Sequence, residues 1–103
     1  MLNSILSIFG LGKKVNYKEL LQNGGIIVDV RSKGEYSGGH IKGSINIPLD
    51  QLGNNLKKFK KDQAIITCCA SGIRSGAAKS LLKSKGYENT YNGGSWYSLN
   101  NKI

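Results

Sequence analysis

Ala64 to Ser75 run an apolar strand, Ala64-Ile65-Ile66-Thr67-Cys68, into a tight loop that opens on Cys69 and closes on Arg74 at a helix start. A thiol is a strong nucleophile only as its thiolate. A loop whose backbone N–H groups turn inward, closed by a guanidinium and a helix N-terminus, supplies the positive potential that lowers a thiol pKa. The same loop is an anion cradle. Cys69 is therefore expected to be the nucleophile, with Arg74 supporting both the thiolate and an incoming anion. Ala70, Ser71, Gly72, Ile73 and Arg74 are expected to bind substrate through their N–H groups, because small side chains and a glycine let the backbone fold around one atom. Cys68 stands one residue earlier and is expected to face the other side of the strand, in the core. Ser75 is expected to cap the following helix.

Other chemistry is sparse. Asp29 and Arg31 flank the end of another apolar run and read as a structural ion pair or hydrogen-bond network. His40 is the only histidine, and it reads as a hydrogen-bonded supporting residue. Without a second histidine, a C-x-x-C pair or a carboxylate cluster, no metal site is expected.

The elements that position these residues alternate between strand and helix. Tyr17 to Gln22 reads as a helix stopped at Asn23-Gly24-Gly25, and Ile26 to Val30 as a strand buried on both sides. Ser32 to Tyr36 suggests a helical turn with serine as cap and Glu35 three positions on. Ser44 to Ile47 is expected to be a short strand, followed by a helix capped by Asp50 or a neighbour and running to about Phe59. After the cysteine loop, Ser75 to Lys85 places Ala77, Ala78, Leu81 and Leu82 on one helical face, with Gly86 as its stop. Thr90-Tyr91 predicts a last strand, and Ser95 to Asn101 a terminal helix. Short connections between alternating elements imply an α/β domain with a parallel sheet of about five strands covered on both faces. Catalytic loops in such sheets lie at the carboxyl ends of strands, as the Cys69 loop does.

A chain of 103 residues with 39% apolar content is one folded domain by size. Adjacent α-carbons lie about 3.8 Å apart, short of the roughly 4.4 to 6.8 Å of a relaxed disulfide. Both cysteines are therefore expected to be free thiols, which points to a reducing, cytoplasmic setting. The net charge of +9 is carried mainly by lysine. That favours small anions as partners, and with few arginines and stacking aromatics it argues against nucleic acid. Lys57-Lys58-Phe59-Lys60-Lys61 reads as a solvated helix end. Residues 1–14 are expected to form an amphipathic segment, with Leu2, Ile5, Leu6 and Phe9 at helical spacing and the folded domain occupying 15–103. The segment is far short of the roughly 20 apolar residues of a transmembrane helix, and it lacks the marks of a secretory signal.

Three blocks of this sequence resemble the rhodanese family. They are Val28 to Pro48 (VDVRSKGEYSGGHIKGSINIP), the loop from Cys69 to Arg74, and Tyr91-Asn92-Gly93-Gly94. The resemblance covers roughly residues 15 to 98 and implies a single-domain, three-layer rhodanese-like fold. Its spacing C-x4-R is similar to the sulfur-transferring branch, whereas cysteine phosphatases and arsenate reductases of related architecture carry C-x5-R. The resemblance also implies a sulfurtransferase that passes sulfur from an anionic donor such as thiosulfate, through a Cys69 persulfide, to cyanide or a thiol acceptor. The implied mechanism needs no cofactor. The alternative is a non-catalytic or carrier module that relays persulfide sulfur with a protein partner, and a third reading is a cysteine phosphatase or arsenate reductase, against which the shorter loop argues. The glycine pair is expected to turn near the mouth of the site, with Trp96 just beyond it.

Overall fold

The computed structural model describes residues 14–103; the amphipathic segment expected at 1–14 lies, apart from Lys14, outside them. Two continuous apolar runs become the inner strands of a sheet, β1 (Ile26–Asp29) and β3 (Ile65–Cys69). The short β2 (Ile45–Asn46) and β4 (Thr90–Ser95) flank them in the order β2-β1-β3-β4, every pair parallel. This is the expected α/β arrangement, with four strands among the described residues.

Because side chains alternate along a strand, the inner strands present a different apolar set to each face. On one face Val28, Ile65 and Cys69 pack with Leu49 and Leu52 of α3 (Leu49–Leu52) and with Ala78, Leu81 and Leu82 of α4 (Ile73–Ser84). On the other, Ile27, Ile66 and Cys68 pack with Leu20 and Leu21 of α1 (Tyr17–Gln22) and with Trp96 and Leu99 of α5 (Trp96–Asn100). Helices thus cover both faces. The adjacent cysteines point to opposite sides, as the alternation demands.

The helix expected from Asp50 to about Phe59 stops at Leu52. Gly53, Asn54 and Asn55 follow, and the Asn55 side-chain amide donates to the Gln51 carbonyl at 2.7 Å, offering the backbone a local alternative to helix. A 3-10 turn at Leu56–Lys58 then delivers Phe59, extended and buried, edge-on to the Tyr87 ring. Lys57, Lys58, Lys60 and Lys61 stay exposed. The cap of α3 is Pro48, not Asp50, and it makes no side-chain hydrogen bond.

α2 (Lys33–Ser37) begins with the anticipated capping box between Ser32 and Glu35. α4 begins two residues earlier than its apolar pattern suggests, at Ile73. Its N-cap is Gly72, held at φ +100°, where a side chain would be strained. Ser75 therefore lies inside the first turn and does not cap it. β4 extends through Gly93-Gly94 to Ser95, and its register against β3 shifts between Thr67 and Cys69. Lengthening the strand in this way brings the glycine pair against the end of β3.

Gly93 has no room for a side chain. A methyl group there would meet Leu99 Cδ2 at 2.8 Å, Ile66 Cγ2 at 2.9 Å and the Thr67 carbonyl oxygen at 2.9 Å. Gly93→Ala is expected to destabilise the fold by about 1–3 kcal/mol through overpacking, read as a lower urea midpoint. An unchanged midpoint would show that the sheet yields there at no cost.

Candidate active site

Cys69 is the last residue of β3, and the chain from Ala70 to Gly72 curls back over its side chain. The Gly72 N–H donates to Sγ at 3.0 Å and the Ser75 N–H at 3.4 Å, while the Ser75 hydroxyl oxygen lies 3.4 Å from the same sulfur. The positive φ of Gly72 aims the first of these amides inward, and the first turn of α4 supplies the second. Cys69 is 0% exposed, yet its sulfur has polar company as well as apolar neighbours. Burial pushes the Cys69 thiol up. Hydrogen bonds from the Ser75 hydroxyl and from the amides of Ser75, Gly72 and Ser71 outweigh burial and leave the thiol below its ordinary value. Cys68 is the contrast, because burial and the nearby Asp29 carboxylate push its thiol up to about 12. Two neighbouring thiols therefore have opposite character, set by which face of the sheet each meets.

Arg74 stands at the rim, where both its terminal nitrogens are engaged by Glu35: Nη1 to Oε1 at 2.7 Å and Nη2 to Oε2 at 2.9 Å. This bidentate pair ties the start of α4 to α2. Glu35 serves two structures at once, since its Oε1 also accepts from the Ser32 N–H. Among the described residues, no hydrogen bond joins Arg74 to the Cys69 sulfur. A groove of about 390 Å³ opens beside Arg74, lined by Val30, Ser32, Pro48, Leu49 and Asp50 as well. Of the loop residues, Ala70, Ser71 and Ile73 are exposed.

Asp29 and Arg31 form the expected internal pair. Both are buried, and the Asp29 carboxylate accepts from Arg31 Nε, Nη2 and backbone N–H. The guanidinium also donates to the carbonyls of Gly39 and Glu35, and Trp96 lies across it at 4.8 Å. Every guanidinium nitrogen thus has a partner, and it is by such pairing and hydrogen bonding that a buried charge is tolerated. His40 is exposed, stacked on Tyr36 at 3.7 Å, and donates through Nδ1 to the Tyr36 carbonyl. It braces α2 and does not reach the sulfur.

Asn92 enters the sequence reading only within the block Tyr91 to Gly94, with no role of its own. Its Oδ1 accepts from the Ser75 hydroxyl at 2.6 Å and from the Gly94 N–H at 2.9 Å, while Nδ2 donates to the Gly72 carbonyl at 3.1 Å. An asparagine before two glycines reads as a turn residue, so its role at the loop had no separate signal. Glu35 could be read as a cap from its spacing, but its grip on Arg74 depends on how α2 and α4 meet.

A family model described as "Rhodanese-like domain" matches residues 14–100. The uncharacterized protein YqhL of Bacillus subtilis is 38% identical over 66 residues, which cover 64% of this chain and 52% of that protein. Thiosulfate sulfurtransferase PspE of Escherichia coli is 33% identical over 69 residues, covering 65% of this chain and 66% of PspE. A human single-domain sulfurtransferase superposes with a TM-score of 0.73 at 27% identity, covering 84% of this chain and 91% of that one. The chain spans about half the length of some curated relatives, and about a fifth of a tRNA uridine(34) hydroxylase that it also matches.

Glu35 gives a pH signature. Its carboxyl is lowered from 4.5 to about 2 by Arg74 and by the Ser32 N–H. A depressed folded-state pKa contributes stability that is fully present above about 4.5 and is lost as pH falls through 2. Glu35→Gln, which keeps the capping geometry, should unfold at a lower urea concentration than the wild type at neutral pH. The gap should close as pH drops below 4.5 toward 2. A gap independent of pH would assign the effect to packing and not to the ion pair.

Proposed function

The chain belongs to the rhodanese-like domain family, and from that membership and the amides around Cys69 we propose that it transfers sulfane sulfur through a persulfide on Cys69. The observation that carries this reading is a sulfur at the carboxyl end of β3 that receives N–H groups from Gly72 and Ser75. Such a sulfur is kept ionised without a general base. The other cysteine, held on the far face with its thiol near 12, does not compete.

The reaction is a double displacement. The Cys69 thiolate attacks the outer sulfur of a donor such as thiosulfate and a new S–S bond forms. The donor's own S–S bond breaks, and its electron pair leaves with sulfite. The persulfide that remains on Cys69 carries its charge on the outer sulfur. The N–H groups of Ala70, Ser71, Gly72, Ile73 and Arg74 are assigned to holding that charge, a task that favours several short donors around one atom. An acceptor nucleophile then takes the outer sulfur: cyanide leaves as thiocyanate, a thiol leaves as a persulfide, and the Cys69 thiolate returns. Arg74 is assigned the incoming anion at the rim, where it would share its guanidinium between Glu35 and the donor. The chemistry needs no metal or cofactor, and the expected cytoplasmic setting fits two free thiols. No helix among the described residues is long and apolar enough to cross a membrane.

A second reading shares the same persulfide but gives it to a protein. Ile73 is 80% exposed at the edge of the loop, an apolar side chain that a small anion would leave wet and a docked protein would cover. The two readings separate by turnover. Steady-state transfer from thiosulfate to cyanide favours the enzyme, and single-turnover loading without turnover favours the carrier.

Intact mass after incubation with thiosulfate tests the shared intermediate. Wild type should gain the mass of one sulfur atom and lose it on adding cyanide. Cys68→Ser should behave the same way, and Cys69→Ser should gain nothing. Loading that survives in Cys69→Ser would remove Cys69 as the carrier of sulfur.

A further inference from the structure

The Ser75 hydroxyl has one hydrogen and two neighbours that accept it. Asn92 Oδ1 lies 2.6 Å from Ser75 Oγ. The asparagine amide cannot be reversed there, because Oδ1 also takes the Gly94 N–H and Nδ2 gives a hydrogen to the Gly72 carbonyl. Two oxygens at that separation need a hydrogen between them, and only the serine has one to give. The Cys69 sulfur stands 3.4 Å away on the other side of Oγ. With Cys69 protonated, S–H donates to Oγ and O–H donates to Oδ1, so the chain Cys69, Ser75, Asn92 is satisfied from end to end. With Cys69 ionised, the sulfur has lost its hydrogen and faces the lone pairs of Oγ unless the hydroxyl turns toward it.

We propose that Asn92 is a positioning residue that competes with the Cys69 sulfur for the single hydrogen of the Ser75 hydroxyl. Ionisation sends the thiol proton to the buffer and swings the O–H from Oδ1 to Sγ, leaving Oδ1 with the Gly94 N–H alone. Asn92 therefore restrains ionisation, and the amides of Gly72 and Ser75 drive it. Ser75 is fully buried and anchored by the Thr67 hydroxyl, which donates to its carbonyl at 2.8 Å. Rotation of one O–H bond is thus the only movement required.

Of the charged groups on the elements around this face, Arg74 on α4 is held by Glu35 on α2, and Asp29, which ends β1, by Arg31. Among the described residues, Asp50 on α3 and Lys79 and Lys83 on α4 are in no ion pair and make no hydrogen bond to Cys69, Ser75 or Asn92. Cys68 on β3 faces the opposite side, and from β4 the contact is the neutral Asn92. None of these is altered by changing Asn92 or Ser75 to alanine.

A double-mutant cycle read by the ultraviolet absorbance of the thiolate across pH tests the competition. Ser75→Ala should raise the Cys69 midpoint, because the thiolate loses a donor. Asn92→Ala also loosens the Gly72 carbonyl, an effect common to both backgrounds. The decisive quantity is therefore the difference between its effect with Ser75 present and its effect in Ser75→Ala. With Ser75 present, Asn92→Ala should move the midpoint lower by about half a pH unit relative to its effect in Ser75→Ala, the size of one modest hydrogen bond. Asn92→Asp, a stronger acceptor at the same place, should give a difference of opposite sign and serves if the alanine variant does not fold. Equal shifts in the two backgrounds, or the reverse sign, would overturn the proposal. The inference builds on the proposed role of Cys69, but the titration uses no sulfur donor. A protein that titrates as expected yet takes no sulfur from thiosulfate would overturn the proposed function and leave this competition standing.

Discussion

A buried sulfur ringed by hydrogen-bond donors is the constraint around which this domain is arranged. Burial alone favours the neutral thiol, and here donors aimed at the atom itself reverse that preference. The chain provides them by ending β3 at Cys69, crossing Gly72 at φ +100°, and starting α4 at once, so that N–H groups on both sides of Gly72 converge. A side chain at Gly72 would strain that crossing, and one at Gly93 would push β4 away from the strand end. The geometry of one atom thus reaches outward to a glycine in the loop, a glycine in the neighbouring strand and the register shift between β3 and β4.

Charge is handled differently from shape. Both arginines are matched with carboxylates, Asp29 with Arg31 inside and Glu35 with Arg74 at the rim. The inner pair is hydrogen-bonded through all three guanidinium nitrogens and locks the segment after β1. The outer pair is more than a third exposed on each side, so it contributes modestly to stability, and its main effect is to fix where α2 and α4 meet. Lysines dominate the net charge but lie elsewhere, for instance on the exposed turn around Phe59. What lowers the Cys69 thiol is therefore local, the Ser75 hydroxyl together with the backbone N–H groups of Ser75, Gly72 and Ser71.

The sequence disclosed the parts of this arrangement that follow from short-range rules. Two apolar runs too short for helices had to be inner strands. Period-two alternation had to separate Cys68 from Cys69, and a glycine between a strand and a helix had to carry the turn. It was silent where distant segments meet. Ser75 reads as a cap because the apolar pattern of α4 starts late, yet the helix starts at Gly72 and turns that hydroxyl onto the sulfur. Glu35 reads as a capping residue, which it is, but its second grip on Arg74 needs the packing of two helices. Asn92 became legible only once β4 lay against the loop. The run from Asp50 to Phe59 misled for a physical reason, since its apolar spacing is helical while Gly53, Asn54 and Asn55 favour local turns.

The account turns on the loop amides and the Ser75 hydroxyl, and not the guanidinium, holding the Cys69 thiol below its ordinary value. The direct measurement is the pH titration of the Cys69 thiolate in the wild type and in Arg74→Gln, each carrying Cys68→Ser so that one thiol is read. Midpoints below that of an ordinary thiol in both proteins are expected. A wild-type midpoint at or above the ordinary value, or a return to it on replacing Arg74 alone, would contradict the account.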